Sequence, residues 1–94
     1  MPFIIQAFDY PDALERRQAT REAHLDALNE LKVAGKVLYA AAMLHEDGRM
    51  KGSVLVLNFE TRREVEIYLE TEPYKLANVW GNIEIIPCKI APGF

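Results

Sequence analysis

The pattern of apolar and polar positions is most regular between residues 14 and 31, where apolar residues recur with the period of an α-helix. At 100° per residue, one broad face of this segment carries four leucines: Leu14, Leu25, Leu28 and Leu31. The spacing predicts an amphipathic helix that packs its leucine face against the rest of the protein.

Three polar residues fall on the same face, N-terminal to Leu28 and Leu31. These are Arg17, Arg21 and His24, each one turn from the next. A face that enters a core should not begin with two arginines and a histidine unless that end borders a cleft. We therefore expect the C-terminal half of the helix to pack on the core and the N-terminal half to line a cleft.

Apolar runs and turn-forming residues divide the rest of the chain into further strands and helices. The predicted elements are a strand at 3–9, the helix from 14 to about 34, strands at 36–44 and 51–59, a helix from 61 to about 70, a short helix at 74–80, and a strand at 82–90. The order is therefore β-α-β-β-α-β, with one additional short helix.

Capping residues support the predicted helix ends. Asp12 is a candidate N-cap of the first helix, with Glu15 in capping-box register, and Gly35 stands at its C-terminal cap. Thr61 and Glu64 form the same Thr-x-x-Glu pattern at the start of the second helix. Both helices thus carry a start signal in the sequence.

Small and turn-forming residues mark the predicted strands. An Asp-Gly pair at 47–48 predicts a hairpin, and Pro87 indicates an edge strand or a bulge. Gly52 and Ser53 are small residues of the kind found where another group packs close to a backbone.

The element order is that of the ferredoxin-like α+β fold, a four-stranded antiparallel sheet with both helices on one face. In the first strand, Phe3 and Ile5 alternate with Ile4 and Phe8, so both faces of the sheet are apolar. A sheet covered by helices on one side only requires a second cover for such a face. We therefore predict a homodimer that packs its sheets face to face.

Composition limits the class of protein. The 94 residues predict one domain, 1–94, and the net charge of −3 with a pI near 5.3 argues against nucleic acid or an anionic membrane as partners. No apolar run approaches the roughly 20 residues of a membrane span, and no signal peptide is recognisable. Cys88 is the single cysteine, which excludes an intrachain disulfide, so a cytoplasmic location is the default expectation.

His24 is the first candidate for chemistry. With Arg17 and Arg21 on the same face, it would stand in a cationic, donor-rich pocket that favours the neutral imidazole needed in a general base. Two alternatives stay open. The histidine could be a half-buried residue with an ordinary hydrogen bond, and the arginines could form surface ion pairs with nearby acids; the candidate acids are Asp12, Glu15 and Glu22.

The second candidate is the sequence Glu72-Pro73-Tyr74. Pro73 restricts Glu72 to extended geometry and so fixes where its carboxylate leaves the helix end. A carboxylate beside an imidazole forms a base-and-orienter pair, in which one group holds the tautomer of the other. The alternative is a simple helix stop.

The remaining candidates favour structural roles. His45 lies in a polar hairpin without a metal-binding pattern, and Cys88 has no basic neighbour, so we interpret them as loop and packing residues. Trp80 and Tyr74 are typical of core or interface anchors. The sequence has no glycine-rich phosphate loop.

Taken together, these motifs resemble the YCII-related (YciI-like) family of dimeric α/β-barrel proteins over nearly the whole chain. The matching motifs, in order, are Leu14-Glu15-Arg16-Arg17, Arg21-Glu22-Ala23-His24-Leu25, the Gly35 turn, Gly52-Ser53, Glu72-Pro73-Tyr74 and Pro87-Cys88-Lys89.

The resemblance implies a ferredoxin-like protomer that dimerises through its sheet, with a histidine and an aspartate at the site. The histidine corresponds to His24, whereas the usual Asp-Pro-Tyr reads Glu-Pro-Tyr here, so the acid corresponds to Glu72, one methylene longer. We assign His24 and Glu72 as catalytic; the substrate-binding set is Arg17, Arg21, Ser53 and Tyr74. The loop between strands two and three is also shorter than in many relatives.

Related proteins suggest the reaction class, since some are dehydrochlorinases of chlorinated aromatics and the similar muconolactone isomerases move protons on a lactone ring. Our leading hypothesis is cofactor-free acid–base chemistry of lyase or isomerase type on a small anionic or aromatic-derived molecule, without a metal. The alternative is a non-catalytic ligand-binding or dimeric assembly module. A haem-degrading monooxygenase of the same architecture has less support, because neither histidine has the sequence context of a haem ligand. The distance between His24 and Glu72 separates the first two hypotheses.

Overall fold

Strands and helices follow one another in the order that the sequence predicts. The computed structural model describes all 94 residues, Met1–Phe94. Its elements are β1 (Phe3–Asp9), α1 (Leu14–Val33), β2 (Val37–Leu44), β3 (Met50–Leu57), α2 (Arg62–Leu69), α3 (Pro73–Leu76) and β4 (Trp80–Pro87).

The four strands form one antiparallel sheet in the order β2-β3-β1-β4. At its centre, Ile5 of β1 lies between Leu55 of β3 and Ile85 of β4. This order places β2 and β4 at the edges, which agrees with the edge position that Pro87 indicates at the end of β4. The ferredoxin-like fold is confirmed.

The core lies between the helices and one face of the sheet. Alternate residues of β1 and β3 point into it, as the two-residue period of a strand requires. Its buried members from the sheet and from the two longer helices are Phe3, Ile5, Ala7, Leu55, Leu57, Trp80, Leu28, Val65, Tyr68 and Leu69.

The opposite face of the sheet is also apolar, as the sequence predicts. Ile4, Val54 and Val56 are only half-buried on that face, and Tyr39 of β2 is 65% exposed. Within a single protomer, these side chains therefore keep a substantial apolar surface in contact with solvent.

The start of α1 differs from the prediction. Asp12 is not its N-cap: Ala13 holds that position, no side chain caps the helix, and Asp12 adopts a left-handed φ of 58°. The methyl group of Ala13 is buried in the core. The main-chain oxygen of Asp12 accepts a weak hydrogen bond from Arg16. The capping box with Glu15 was therefore wrong.

The end of α1 follows the prediction closely. Gly35 comes directly after the C-cap residue Ala34 and has a φ of 77°, a conformation that costs glycine little. Its N–H donates to the carbonyl of Lys32 at 3.0 Å, and that of Lys36 donates to Leu31 at 2.8 Å. This pair of bonds is the Schellman motif, which satisfies carbonyls at the helix end.

Along α1, Leu28 is buried and Leu31 half-buried, so the C-terminal half packs on the core as expected. Leu14 and Leu25 are exposed, whereas Arg17 and His24 are buried. No helix of the protein, α1 included, is both long and apolar enough to span a membrane.

The predicted N-cap of α2 is confirmed, because Thr61 Oγ1 accepts the N–H of Glu64 at 3.2 Å.

The predicted boundary between the short helix and the last strand, near residue 80, was wrong. The short helix α3 ends at Leu76, and Trp80 begins β4, where it pairs with Asp9. The indole is buried against the sheet, and this tertiary contact outweighs the local helical pattern.

Gly52 lies where another backbone approaches closely, as its small size predicts. A Cβ at this position would meet the carbonyl oxygen of Ala7 and the terminal methyl of Met43. The carbonyl belongs to the neighbouring strand β1 and has little freedom to move.

We expect Gly52→Ala to lower the free energy of unfolding by roughly 1–3 kcal/mol, the usual cost of an added methyl without space. Equilibrium denaturation in urea measures the change. The control is Lys51→Ala at the exposed neighbouring position, which we expect to stay within about 0.5 kcal/mol of the original protein. Equal stability of the two variants would contradict the close approach.

Candidate active site

A cavity of about 150 Å³ lies between the N-terminal half of α1 and the sheet. Side chains from α1, β2, β3 and α3 line it. They include Arg17, Arg21, His24, Leu25, Leu28, Ala40, Ala41, Ala42, Met50, Ser53, Leu55 and Tyr74. The three polar residues of the α1 face thus border one cavity, together with the predicted residues Ser53 and Tyr74.

His24 and Glu72 lie in direct contact beside this cavity, although 48 residues separate them in the sequence. The distance from His24 Nδ1 to Glu72 Oε1 is 2.5 Å, and the two residues are 5% and 0% exposed. Because an ionised carboxylate only accepts hydrogen bonds, we assign the proton to Nδ1.

The other ring nitrogen of His24, Nε2, has no hydrogen-bond partner within the chain. Since no fully buried side-chain nitrogen or oxygen lacks a partner, Nε2 keeps solvent-accessible surface, and His24 is one of the residues that line the cavity. An imidazole held in this tautomer presents a lone pair at Nε2, which is the group that a general base uses.

Glu72 is positioned by its own backbone as well as by its neighbours. It is the N-cap of α3, with the extended φ of −68° and ψ of 121° that the following proline favours, and its Oε1 also accepts the N–H of Tyr74 at 3.1 Å. Its second oxygen, Oε2, accepts the hydroxyl hydrogen of Tyr68. The carboxylate is therefore fully buried with both oxygens hydrogen-bonded.

Tyr68 has no role in the sequence-based assignment. The available signal was its position only four residues before Glu72, which keeps the two side chains close along the chain. Burial, and then the adjacent charge of Glu72, raise the pKa of Tyr68 far above its ordinary value of 10.0. The phenol therefore stays protonated and keeps its hydrogen-bond donor.

Aromatic rings hold the His24 imidazole in place. The Tyr74 ring stacks on it with centroids 3.9 Å apart and an interplanar angle of 15°, and the Trp80 indole meets it edge-on at 5.7 Å. The guanidinium of Arg17 lies 4.6 Å from the centroid of Tyr74. Burial raises the pKa of the Tyr74 phenol, and the charges of Arg17 and Arg21 oppose this shift.

Arg17 is buried and donates hydrogen bonds to both Asp9 and Ser53. Its Nε and Nη2 donate to the two oxygens of Asp9 at 2.8 and 3.1 Å, and Nη2 also donates to Ser53 Oγ at 2.8 Å. The indole N–H of Trp80 donates to the same Ser53 oxygen at 3.2 Å. The positive charge of Arg17 is thus compensated by Asp9 within the protein.

This ion pair differs from the surface pairs considered for the arginines, since the acid is Asp9 of β1 and not one of the nearby acids Asp12, Glu15 or Glu22. Asp9 was missed because it ends a strand eight residues earlier, and only the fold brings it to α1.

Arg21 differs from Arg17 in its environment. It lines the same cavity, but it is exposed and takes part in no salt bridge. Its guanidinium therefore carries a charge at the cavity mouth that no carboxylate of the chain neutralises.

Two of the residues given structural roles, His45 and Cys88, lie away from the cavity. His45 is in the exposed hairpin, where hydrogen bonds from Arg49 lower the pKa of Asp47. Cys88 is half-buried, and its N–H donates to the carbonyl of Pro2 at 2.9 Å.

Comparison with known proteins assigns the chain to a family. The model of the YCII-related domain matches residues 1–89. The chain is 30% identical to protein YciI of Escherichia coli O6:H1, over 95% of this chain and 97% of that protein. It has the same identity and coverage with an uncharacterised protein of Haemophilus influenzae.

A solved structure with a similar fold is that of 5-chloro-2-hydroxyhydroquinone dehydrochlorinase from Burkholderia phenoliruptrix AC1100, in complex with 2,5-dihydroxybenzoquinone. Its TM-score is 0.87 at 28% identity, covering 97% of this chain and 96% of that one. The family model and these relatives match the chain almost from end to end, and the chain therefore belongs to the YCII-related domain family.

Proposed function

We propose that this protein is a cofactor-independent acid–base enzyme of lyase or isomerase type, acting on a small anionic or aromatic-derived molecule. The observation that carries the proposal is the buried contact between His24 Nδ1 and Glu72 Oε1 at the edge of the cavity. A base with a fixed tautomer beside a cavity suits proton transfer to or from a bound molecule.

In this mechanism, Nε2 of His24 removes a proton from a carbon or oxygen atom of the substrate. The imidazole then carries a positive charge, which the carboxylate of Glu72 stabilises through Nδ1. In an elimination, the electrons of the broken C–H bond form a double bond while a leaving group departs with its own electron pair. In an isomerisation, His24 returns the proton at another position.

The cavity suits a single small ring. A cavity of about 150 Å³ with apolar walls can hold a molecule the size of benzene. The relative from Burkholderia acts on a chlorinated hydroxyhydroquinone, and this supports a planar, phenol-like substrate for the present chain. The alanines of β2 and the Tyr74 ring would contact its apolar parts.

Besides Tyr74, the three other residues assigned to substrate binding would contribute differently. Arg21 would bind an anionic oxygen of the substrate, because no carboxylate of the protein compensates its charge. Arg17 would present N–H donors on the cavity wall, while Asp9 compensates its charge. Ser53 is held between Arg17 and Trp80, so it would fix the position of this wall.

We further propose that the protein is a homodimer joined through the open faces of its sheets. The support is the apolar surface formed by residues such as Ile4, Val54, Val56 and Tyr39. The single domain 1–94, the cytoplasmic location and the absence of nucleic-acid and membrane partners expected from the sequence stay predictions.

Replacing His24 with Gln should lower turnover of a substrate by roughly 10²–10⁴-fold, the usual contribution of a general acid or base. The assay follows product or halide release from a panel of halogenated hydroxyhydroquinones and small unsaturated lactones. His45→Gln is the matched control, since His45 lies in the exposed hairpin. Unchanged turnover in His24→Gln would remove the acid–base role. Ligand-induced thermal stabilisation without any product would favour the alternative, a non-catalytic binding module.

Replacing Arg21 with Gln should raise KM by roughly tenfold or more with a smaller change in kcat. The reason is that the substrate would lose its hydrogen bond to the charged guanidinium, which contributes to binding. Initial-rate kinetics on the same substrate separate the two constants. Arg63→Gln is the control: it removes the same charge from an exposed position on α2 that does not line the cavity. An equal effect of both variants would indicate long-range electrostatics in place of direct binding.

Light scattering on the purified protein should give twice the chain mass of 10.7 kDa. Val54→Glu places a charge on the open face of the sheet and should shift the mass to that of the monomer, because burying an unpaired carboxylate is costly. Ile67→Glu, at an exposed position on α2, should leave the dimer intact. A monomeric mass of the unaltered protein at micromolar concentration would contradict the dimer.

A further inference from the structure

We infer that Tyr68 is a positioning residue of the acid–base site, which holds the tautomer of His24 by anchoring the far oxygen of Glu72. The inference rests on the proposed function, since it assigns Tyr68 a part in the same chemistry. Tyr68 does not line the cavity, so its effect passes through Glu72.

The Glu72 carboxylate accepts three hydrogen bonds. Oε1 accepts from His24 and from the backbone of Tyr74, whereas Oε2 accepts from the hydroxyl of Tyr68. Glu72 is 0% exposed, so water does not take the place of a missing donor. Without the hydroxyl, Oε2 would be a buried charged oxygen with no partner, which is strongly unfavourable.

The length of the Glu72 side chain makes this anchor important. Glutamate has three side-chain torsions, and the last of them is soft, so the donors at both oxygens together determine the orientation of the carboxylate group. A donor at Oε2 fixes this rotation and directs Oε1 toward His24. The Nδ1–H tautomer, and with it the free lone pair at Nε2, then follows from the orientation of the carboxylate.

The Tyr68 side chain is itself well placed for this role. It is a buried residue in the last turn of α2, and its ring lies 6.4 Å from that of Phe59, centroid to centroid. The position four residues before Glu72 lets the hydroxyl reach the carboxylate within one segment of chain. Replacement by phenylalanine would keep the ring packing and remove only the donor.

The experiment is ¹⁵N NMR of the histidine side chains, whose chemical shifts distinguish the two neutral tautomers. For the neutral imidazole of His24 in the unaltered protein, we expect the Nδ1–H form. Tyr68→Phe should convert it to a mixture with the Nε2–H form. The only other histidine, His45, is the internal reference, and Tyr10→Phe is the matched control, since Tyr10 is exposed and its hydroxyl has no partner in the chain. An unchanged His24 tautomer in Tyr68→Phe would overturn the inference.

Glu72→Gln provides a second variant that leaves Tyr68 in place. If Tyr68 directs this group, its hydroxyl will bind the amide oxygen and turn the amide NH₂ toward His24, which will then adopt the Nε2–H tautomer. Retention of the Nδ1–H tautomer would show that the contacts at Oε1 determine the orientation, and would overturn the inference. This variant decides the question even if Tyr68→Phe does not fold.

Activity gives a third measurement once a substrate is identified. Tyr68→Phe should lower kcat by roughly tenfold, the size expected for loss of a hydrogen bond to a charged group, with little change in KM. A normal kcat would overturn the inference. Failure of the proposed function would appear separately, as unchanged turnover in His24→Gln, whereas the NMR measurements report on Tyr68 without any substrate.

Discussion

The fully buried carboxylate of Glu72 is the constraint around which the helices of this protein are arranged. A buried charge is stable only when donors surround it, and here the donors come from three separate places. They are His24 of α1, Tyr68 of α2 and the first turn of α3. The same hydrogen bonds therefore join the three helices beside the cavity that His24 and Tyr74 line.

A second polar cluster supports the site from the side of the sheet. Arg17, Asp9 and Ser53 connect α1 to β1 and β3, and the indole of Trp80 closes the cluster from β4. Between the two clusters, Tyr74 stacks on His24 and lies against Arg17. Helix α1 thus carries Arg17 and His24 to places where both meet a partner, and its apolar residue Leu28 then packs in the core.

Much of this arrangement could be predicted from the sequence, because local patterns encode it. The strand and helix order, the cap at Thr61 and the Gly35 turn depend on nearby residues. The mixed polarity of α1 was sufficient to place a cleft beside Arg17 and His24. These features follow from helical periodicity and from the conformational preferences of individual residues.

The errors concern contacts between residues that are distant in sequence or features that packing decides. Asp12 has the side chain of an N-cap, but the burial of Ala13 sets where α1 begins. Trp80 follows a helical pattern, and its contact with the sheet places it in β4. Asp9 and Tyr68 were missed as site residues because only the tertiary structure shows which oxygen or nitrogen each of them reaches.

The position of β2 has a consequence for the diversity of such proteins. This edge strand supplies Ala40, Ala41 and Ala42 to the cavity, opposite the helices that hold the histidine and the glutamate. One wall of the cavity is therefore encoded on a segment of the chain that carries neither His24 nor Glu72. Larger side chains on this outer strand would narrow the cavity while the contact between His24 and Glu72 stayed in place. Exchanging methyl groups on one strand would therefore change which molecules fit the cavity without altering that buried pair.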